Sequence, residues 1–288
     1  MMKTAAPTQN TWLKTVGLGF GILIVVAAMI GGALTLAGVL TPDPKSCSDM
    51  ASGVHSTTRN LRTVDIVIGL AGNGPAVAAE AQQHVRSVLH AEEPDAATLV
   101  KVTLVNGDRE YQPSGTSGQC VGQELLVAPS TADLESYRTA SVDAKADVEA
   151  ALRKQYDTQA GLVAASVRTA VSQAPPPDSP NTGAFALWPF VAQIPADHEA
   201  FVLGPLTVGG DNCLTLASPA SIASDGKSTE IAQRVAQCVA AGEVSKASAT
   251  SLTVEGVGSL TLTGSQRDAQ NAVVDALCSN AAETKCTE

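Results

Sequence analysis

Apolar positions along this chain fall into two patterns. One long unbroken run lies near the N-terminus, and short Val- and Ile-rich runs alternate with helically spaced segments after it. The long run, Val16 to Leu40, carries no charged residue. As a helix it is long enough to span roughly 30 Å of hydrocarbon with some tilt. Lys3 and Lys14 precede it and Asp43 follows it. The positive-inside rule then puts residues 1–15 in the cytoplasm, residues 16–40 in the membrane and the remainder outside. A cleaved signal peptide is the competing reading, although its apolar core would be only about 7–15 residues. Residues 41–60 read as a polar juxtamembrane lead, and residues 61–288 as one extracytoplasmic domain.

Within that domain the period of the pattern changes repeatedly. Arg62 to Leu70 is a buried strand by its Val and Ile content. Pro75 fits a first helical turn, and Val77, Ala81, Val85, Val88 and Leu89 recur at helical spacing to about Ala91. Thr98 to Val105 and Gln123 to Ala128 are strands with no helix between them, so one should be an antiparallel edge strand. Asp133 to Ser172 reads as one long helix on Leu134, Val142, Val148, Leu152, Leu162, Val163 and Val167, and "APPPDSPNTG" (Ala174 to Gly183) breaks it. A short helix from Phe185, a strand from Glu199 to Val208, a helix from Ser228, a strand from Thr250 and a last helix from Ser265 complete the chain. This order predicts an α/β fold. Its core is a doubly wound, mostly parallel sheet with one antiparallel edge strand and helices on both faces.

Cysteine placement sharpens the topology. All six (Cys47, Cys120, Cys213, Cys238, Cys278, Cys286) follow the membrane segment. An even count on the outer side, without CxxC or a neighbouring His pair, points to three disulfides in an oxidising compartment. Of the fifteen pairings that six cysteines allow, Cys47–Cys120, Cys213–Cys238 and Cys278–Cys286 are expected. The formal charge of -10 and the lack of a basic stripe argue against nucleic acid. Aromatics make up only 3% of the chain, so Ala, Val, Thr and Gly must fill the core. That composition suggests a bacterial cell-envelope protein.

The element order, with its hairpin after the first helix, resembles the von Willebrand factor A-type fold. "VEGVGS" (Val254 to Ser259) and "TVGGDN" (Thr207 to Asn212) resemble that family's late strand ends. The resemblance covers about Arg62 to Asn280. It implies binding at the loops on the strand C-terminal edge, commonly through a divalent cation such as Mg²⁺. The family's first loop reads Asp-x-Ser-x-Ser, whose oxygens suit a hard cation. Here those positions are Gly69, Ala71 and Asn73. Thr182 matches the second-loop Thr and Asp211 could match the third-loop Asp. With the first loop's oxygens gone, no metal or other cofactor is expected. The expected partner surface is Gly72, Asn73, Gly74, Thr182, Gly210 and Asp211.

Catalytic patterns are sparse. "GLAGNGP" is neither GxGxxG nor a P-loop, and no GxSxG elbow occurs. His84 and His90 stand six apart, off the i, i+4 spacing of metal pairs, and read as surface or half-buried. The expected function is a membrane-anchored binding module that engages a protein or an envelope component. A small-ligand sensory or solute-binding domain and an envelope hydrolase are the alternatives.

Overall fold

Strand β1 (Arg62–Gly69) organises the molecule. Its Val and Ile side chains alternate between two faces, and both faces are dry: Val64, Ile66 and Ile68 enter one core, Val67 the other. Such a strand must sit mid-sheet between parallel neighbours. In the computed structural model the described residues are 46–54, 61–70, 75–107, 109–114, 120–175, 184–204, 228–256, 264–284 and 286–287. Parallel to β1 run β2 (Thr98–Asn106) on one side and β5 (Glu199–Gly204) on the other, with β6 (Ser251–Gly256) and β7 (Cys286–Thr287) beyond β5. The outer edge of β2 pairs antiparallel with two short strands, β3 (Arg109–Glu110) at its C-terminal end and β4 (Glu124–Val127) at its N-terminal half. The result is an α/β domain with a seven-stranded, mostly parallel sheet and one antiparallel edge. The β2–β3 turn pairs Asn106 with Arg109 and uses Gly107 at φ +66°, a conformation open to glycine.

Two helical layers close the sheet. Helices α2 (Pro75–Val88) and α4 (Val142–Gln173) pack side by side on the first face. They bury Ala78, Ala81 and Val85 against Tyr156, Val163 and Val167. On the second face lie α5 (Ala184–Val191), α6 (Ser228–Ala240) and α7 (Gly264–Ala281), with Leu187, Trp188, Val235 and Leu277 in the second core. Trp188 also donates its indole N–H to the Ser245 carbonyl, so its one polar atom is satisfied.

Three expectations change. The single helix expected from Asp133 to Ser172 is two: α3 (Thr131–Thr139), then α4 after the extended pair Ala140 and Ser141. The break disposes of Val142, counted above as a core position, which is 90% exposed. From Leu152 onward the core face of α4 is regular, and α3 makes its own contacts through Leu134 and Asp133. Asp133 accepts from the Ser130 hydroxyl and the Gln155 amide. One turn further along α4, Gln159 clamps both the N–H and the C=O of Ala128. Second, residues 46–54, read as polar lead, contain helix α1 (Cys47–Gly53), whose Ser46 and Asp49 form a capping box and whose Met50 is 2% exposed in the first core. Third, the two-residue strands β3 and β7 are too short for periodicity to register. The Val16–Leu40 run lies outside the described residues. Among those described, no helix is long and apolar enough to cross a membrane.

Both lateral edges of the sheet are fastened by sulfur. Cys47 of α1 is bonded to Cys120, just ahead of β4, and Cys278 of α7 to Cys286 of β7, both as expected. Cys238 is disulfide-bonded too, and Cys213 lies outside the described residues. These bonds fit an oxidising, extracytoplasmic setting. The two located bonds differ in leverage, because they close sequence separations of 73 and 8 residues. Chain entropy then assigns about 4 kcal/mol to the first and about 2.5 kcal/mol to the second. We expect Cys47→Ser/Cys120→Ser to lower the denaturation midpoint well below that of Cys278→Ser/Cys286→Ser in urea titrations followed by circular dichroism. Equal midpoints would contradict the entropic ranking.

Candidate functional site

In an open α/β sheet, ligands enter at the C-terminal edge where the strand order reverses. Here that point lies between β1 and β5, because the chain fills β2 on one side of β1 and β5 on the other. The two strands end in Gly69 and Gly204, which face each other closely: a Cβ on Gly204 would stand 3.2 Å from the Gly69 nitrogen. Into the space left by the two absent side chains comes Leu187 of α5. A Cβ on Gly69 would meet its Cδ1 at 2.8 Å, and one on Gly204 at 2.7 Å. Leu187 is 3% exposed. The facing strand ends are thus covered on the second face of the sheet by an apolar side chain of the protein itself. Gly69 serves here to admit that leucine.

The residues expected to form the partner surface (Gly72, Asn73, Gly74, Thr182, Gly210 and Asp211) all lie outside the described residues. Sequence alone links them to this edge. Gly72 follows the end of β1 by three positions, Thr182 precedes α5 by two, and Gly210 follows β5 by six. Among the described residues, no group of three or more His, Cys, Asp or Glu side chains is placed to hold a metal ion.

Two histidine–carboxylate pairs escaped the sequence reading. His84, expected at the surface or half-buried, is fully buried, with Nδ1 2.7 Å from Glu255 Oε2 on β6 and Nε2 without a partner among the described residues. The signal was available, since His84 stands three after Ala81 and four before Val88, on the buried face of α2. His198 Nδ1 lies 2.6 Å from Asp65 Oδ2, pinning the approach to β5 onto the middle of β1. No sequence pattern joins positions 133 apart. Its Nε2 is 3.8 Å from Asp197, so the ring stands between two carboxylates. Neither pair shows a hydroxyl or thiol nucleophile bonded to its ring among the described residues.

A cleft of about 720 Å³ opens at the opposite, N-terminal edge of the strands. Arg62, the first residue of β1, forms its floor. Its Nε and Nη2 donate to both oxygens of Glu199 at 3.0 and 2.8 Å, and its Nη1 donates to the Val88 carbonyl. The guanidinium lies 5.6 Å from the centre of the Phe201 ring. Hydrogen bonding to Glu199 raises the Arg62 pKa above its ordinary value despite partial burial. Beside it the Tyr156 and Thr98 hydroxyls share a 2.8 Å hydrogen bond. Burial raises the Tyr156 pKa, with the Thr98 bond and the Arg62 charge opposing.

No family model matches the chain, and a search of curated proteins finds no match to it.

Two predictions follow from this geometry. Gly69→Ala should destabilise the domain by about 1–3 kcal/mol through overpacking against Leu187. Most of that loss should vanish when the same change is made in Leu187→Ala, so a double-mutant cycle in urea should give a large coupling. Additive effects would mean Leu187 does not fill the gap. Tyr156 supplies a pH signature. Its neutral form is protonated and its folded pKa is raised, so the unfolded chain releases the proton first. The stabilisation is therefore full below the ordinary tyrosine value of about 10 and declines as pH rises through and beyond it. Melting temperatures at about pH 9 to 11 should fall more steeply for the wild type than for Tyr156→Phe. Parallel slopes would remove Tyr156 as the source.

Proposed function

We propose that this chain is a membrane-anchored, extracytoplasmic binding module of a bacterial cell envelope. It presents the loops at the C-terminal edge of its sheet to a protein or an envelope component. The observation that carries the reading is Leu187 seated over Gly69 and Gly204. A small-ligand domain of this architecture keeps the switch-point crevice open for its ligand. Here an apolar side chain covers the facing strand ends, which favours recognition on the loops over capture between the strands.

Three further observations support the proposal. The disulfides fit an oxidising exterior, as an anchor at Val16–Leu40 with an outward C-terminal domain requires. The antiparallel edge that follows α2 and the central position of β1 are in keeping with a von Willebrand A-type domain that has lost its metal chemistry. The six-residue stretch from Thr41 to Ser46 separates the apolar run from α1, so the domain would be carried near the membrane surface. On this reading Asn73, Thr182 and Asp211 contact the partner as polar groups rather than as ligands of a cation.

Thr182→Arg and Asp211→Arg in the full chain, followed by crosslinking in cells, test the assignment. Each should remove a crosslinked species that survives Asp143→Arg on the exposed face of α4. The same crosslinks in all three variants would show that this edge is not the binding surface.

A further inference from the structure

The cleft at the N-terminal edge is a second concave site, on the side of the sheet opposite the loops just discussed. Its volume of about 720 Å³ falls within the roughly 300–1,000 Å³ typical of small-molecule sites. Its floor is rigid. Arg62 is held by both Glu199 oxygens and by the last carbonyl of α2, and its guanidinium lies over Phe201. Tyr156 and Thr98, 1% and 2% exposed, satisfy each other. The floor therefore offers a partly aromatic surface on which an apolar stem can lie without stranding a polar group.

The rim has a different character. Glu92, Glu93 and Asp95, all exposed, border the cleft from the link between α2 and β2. Among the described residues lining it, the cationic side chains are Arg62, compensated by Glu199, and His90 when protonated. The uncompensated charge is negative, and a concave wall of low polarisability concentrates the field of that charge within the cleft.

We propose that this cleft binds a small aliphatic amine. Its methylene run lies along Phe201 and the Val88–Ala91 wall, and its ammonium groups are taken by the rim carboxylates of Glu92, Glu93 and Asp95. The carboxylates attract the cation, while Phe201, whose ring already carries Arg62, contributes apolar surface to the stem. Arg62 does not repel it, because Glu199 covers its charge. The site is independent of the loop surface, and either can fail without the other.

Spermidine titrated by calorimetry into the full chain in detergent, at low ionic strength, is the direct test. Saturable binding is expected, weakened at least about tenfold in Glu92→Gln/Glu93→Gln/Asp95→Asn, a loss of about 1.4 kcal/mol. It should be unchanged in Asp143→Asn/Asp147→Asn/Glu243→Gln, which removes the same charge from remote exposed positions. Phe201→Leu should also weaken it, with melting recorded for each variant to verify folding. Absence of saturable heat would overturn the proposal, as would equal weakening by both charge variants, which would reduce the effect to the protein's overall field. Preferential binding of glutarate would overturn the sign of the ligand and with it the role given to the rim.

Discussion

The structure depends on the burial of β1 on both faces. A strand whose Val64, Ile66, Val67 and Ile68 are all dry cannot lie at a sheet edge, nor can it leave either face to water. It needs a parallel neighbour on each side and a helical layer above and below. α2 and α4 answer one face and α5 to α7 the other. Because the chain has few aromatics, the layers are filled with Ala and Val, whose small volumes let helix backbones approach the sheet closely. Leu187 over Gly69 and Gly204 is the extreme case of that packing, a contact made where two strands carry no side chain at all.

That packing bears on function through the sheet's two ends. At the C-terminal ends of β1 and β5, Leu187 packs over Gly69 and Gly204. At the N-terminal ends, Arg62 and Glu199 join the starts of β1 and β5 beneath a concave, acid-rimmed surface. Among the described residues, the polar hollow thus lies at the N-terminal ends of the strands.

Much of this architecture was legible in the residues. The Val- and Ile-rich runs marked β1, β2, β5 and β6, and Pro75 and the Ala174–Gly183 break bounded helices correctly, because these signals are local. What escaped is non-local. The short strands β3 and β7 exist only through their neighbours. The division between α3 and α4 rests on Asp133 and Gln159 finding partners that no periodicity encodes. Helix α1 looked like a tether because six of its seven residues are small or polar, and only the bond from Cys47 and the burial of Met50 make it part of the domain. The His198–Asp65 and Arg62–Glu199 pairs span more than 130 positions and follow from strand order, not sequence. The candidate loop residues were chosen by their place after strands, and the chemistry of the cleft had no sequence motif to announce it.

The Cys47–Cys120 bond also has a mechanical meaning. It closes a covalent ring that contains α1, β1, α2, β2 and β3. Tension arriving from the N-terminal side reaches Cys47 and crosses the sulfur bridge to Cys120 without loading the backbone between them. The central strand and its hydrogen-bonded neighbour β2 then sit off the load path. A pull on the two ends of the domain would load the segments after Cys120 first, while the pairing of β1 with β2 inside the ring keeps its register.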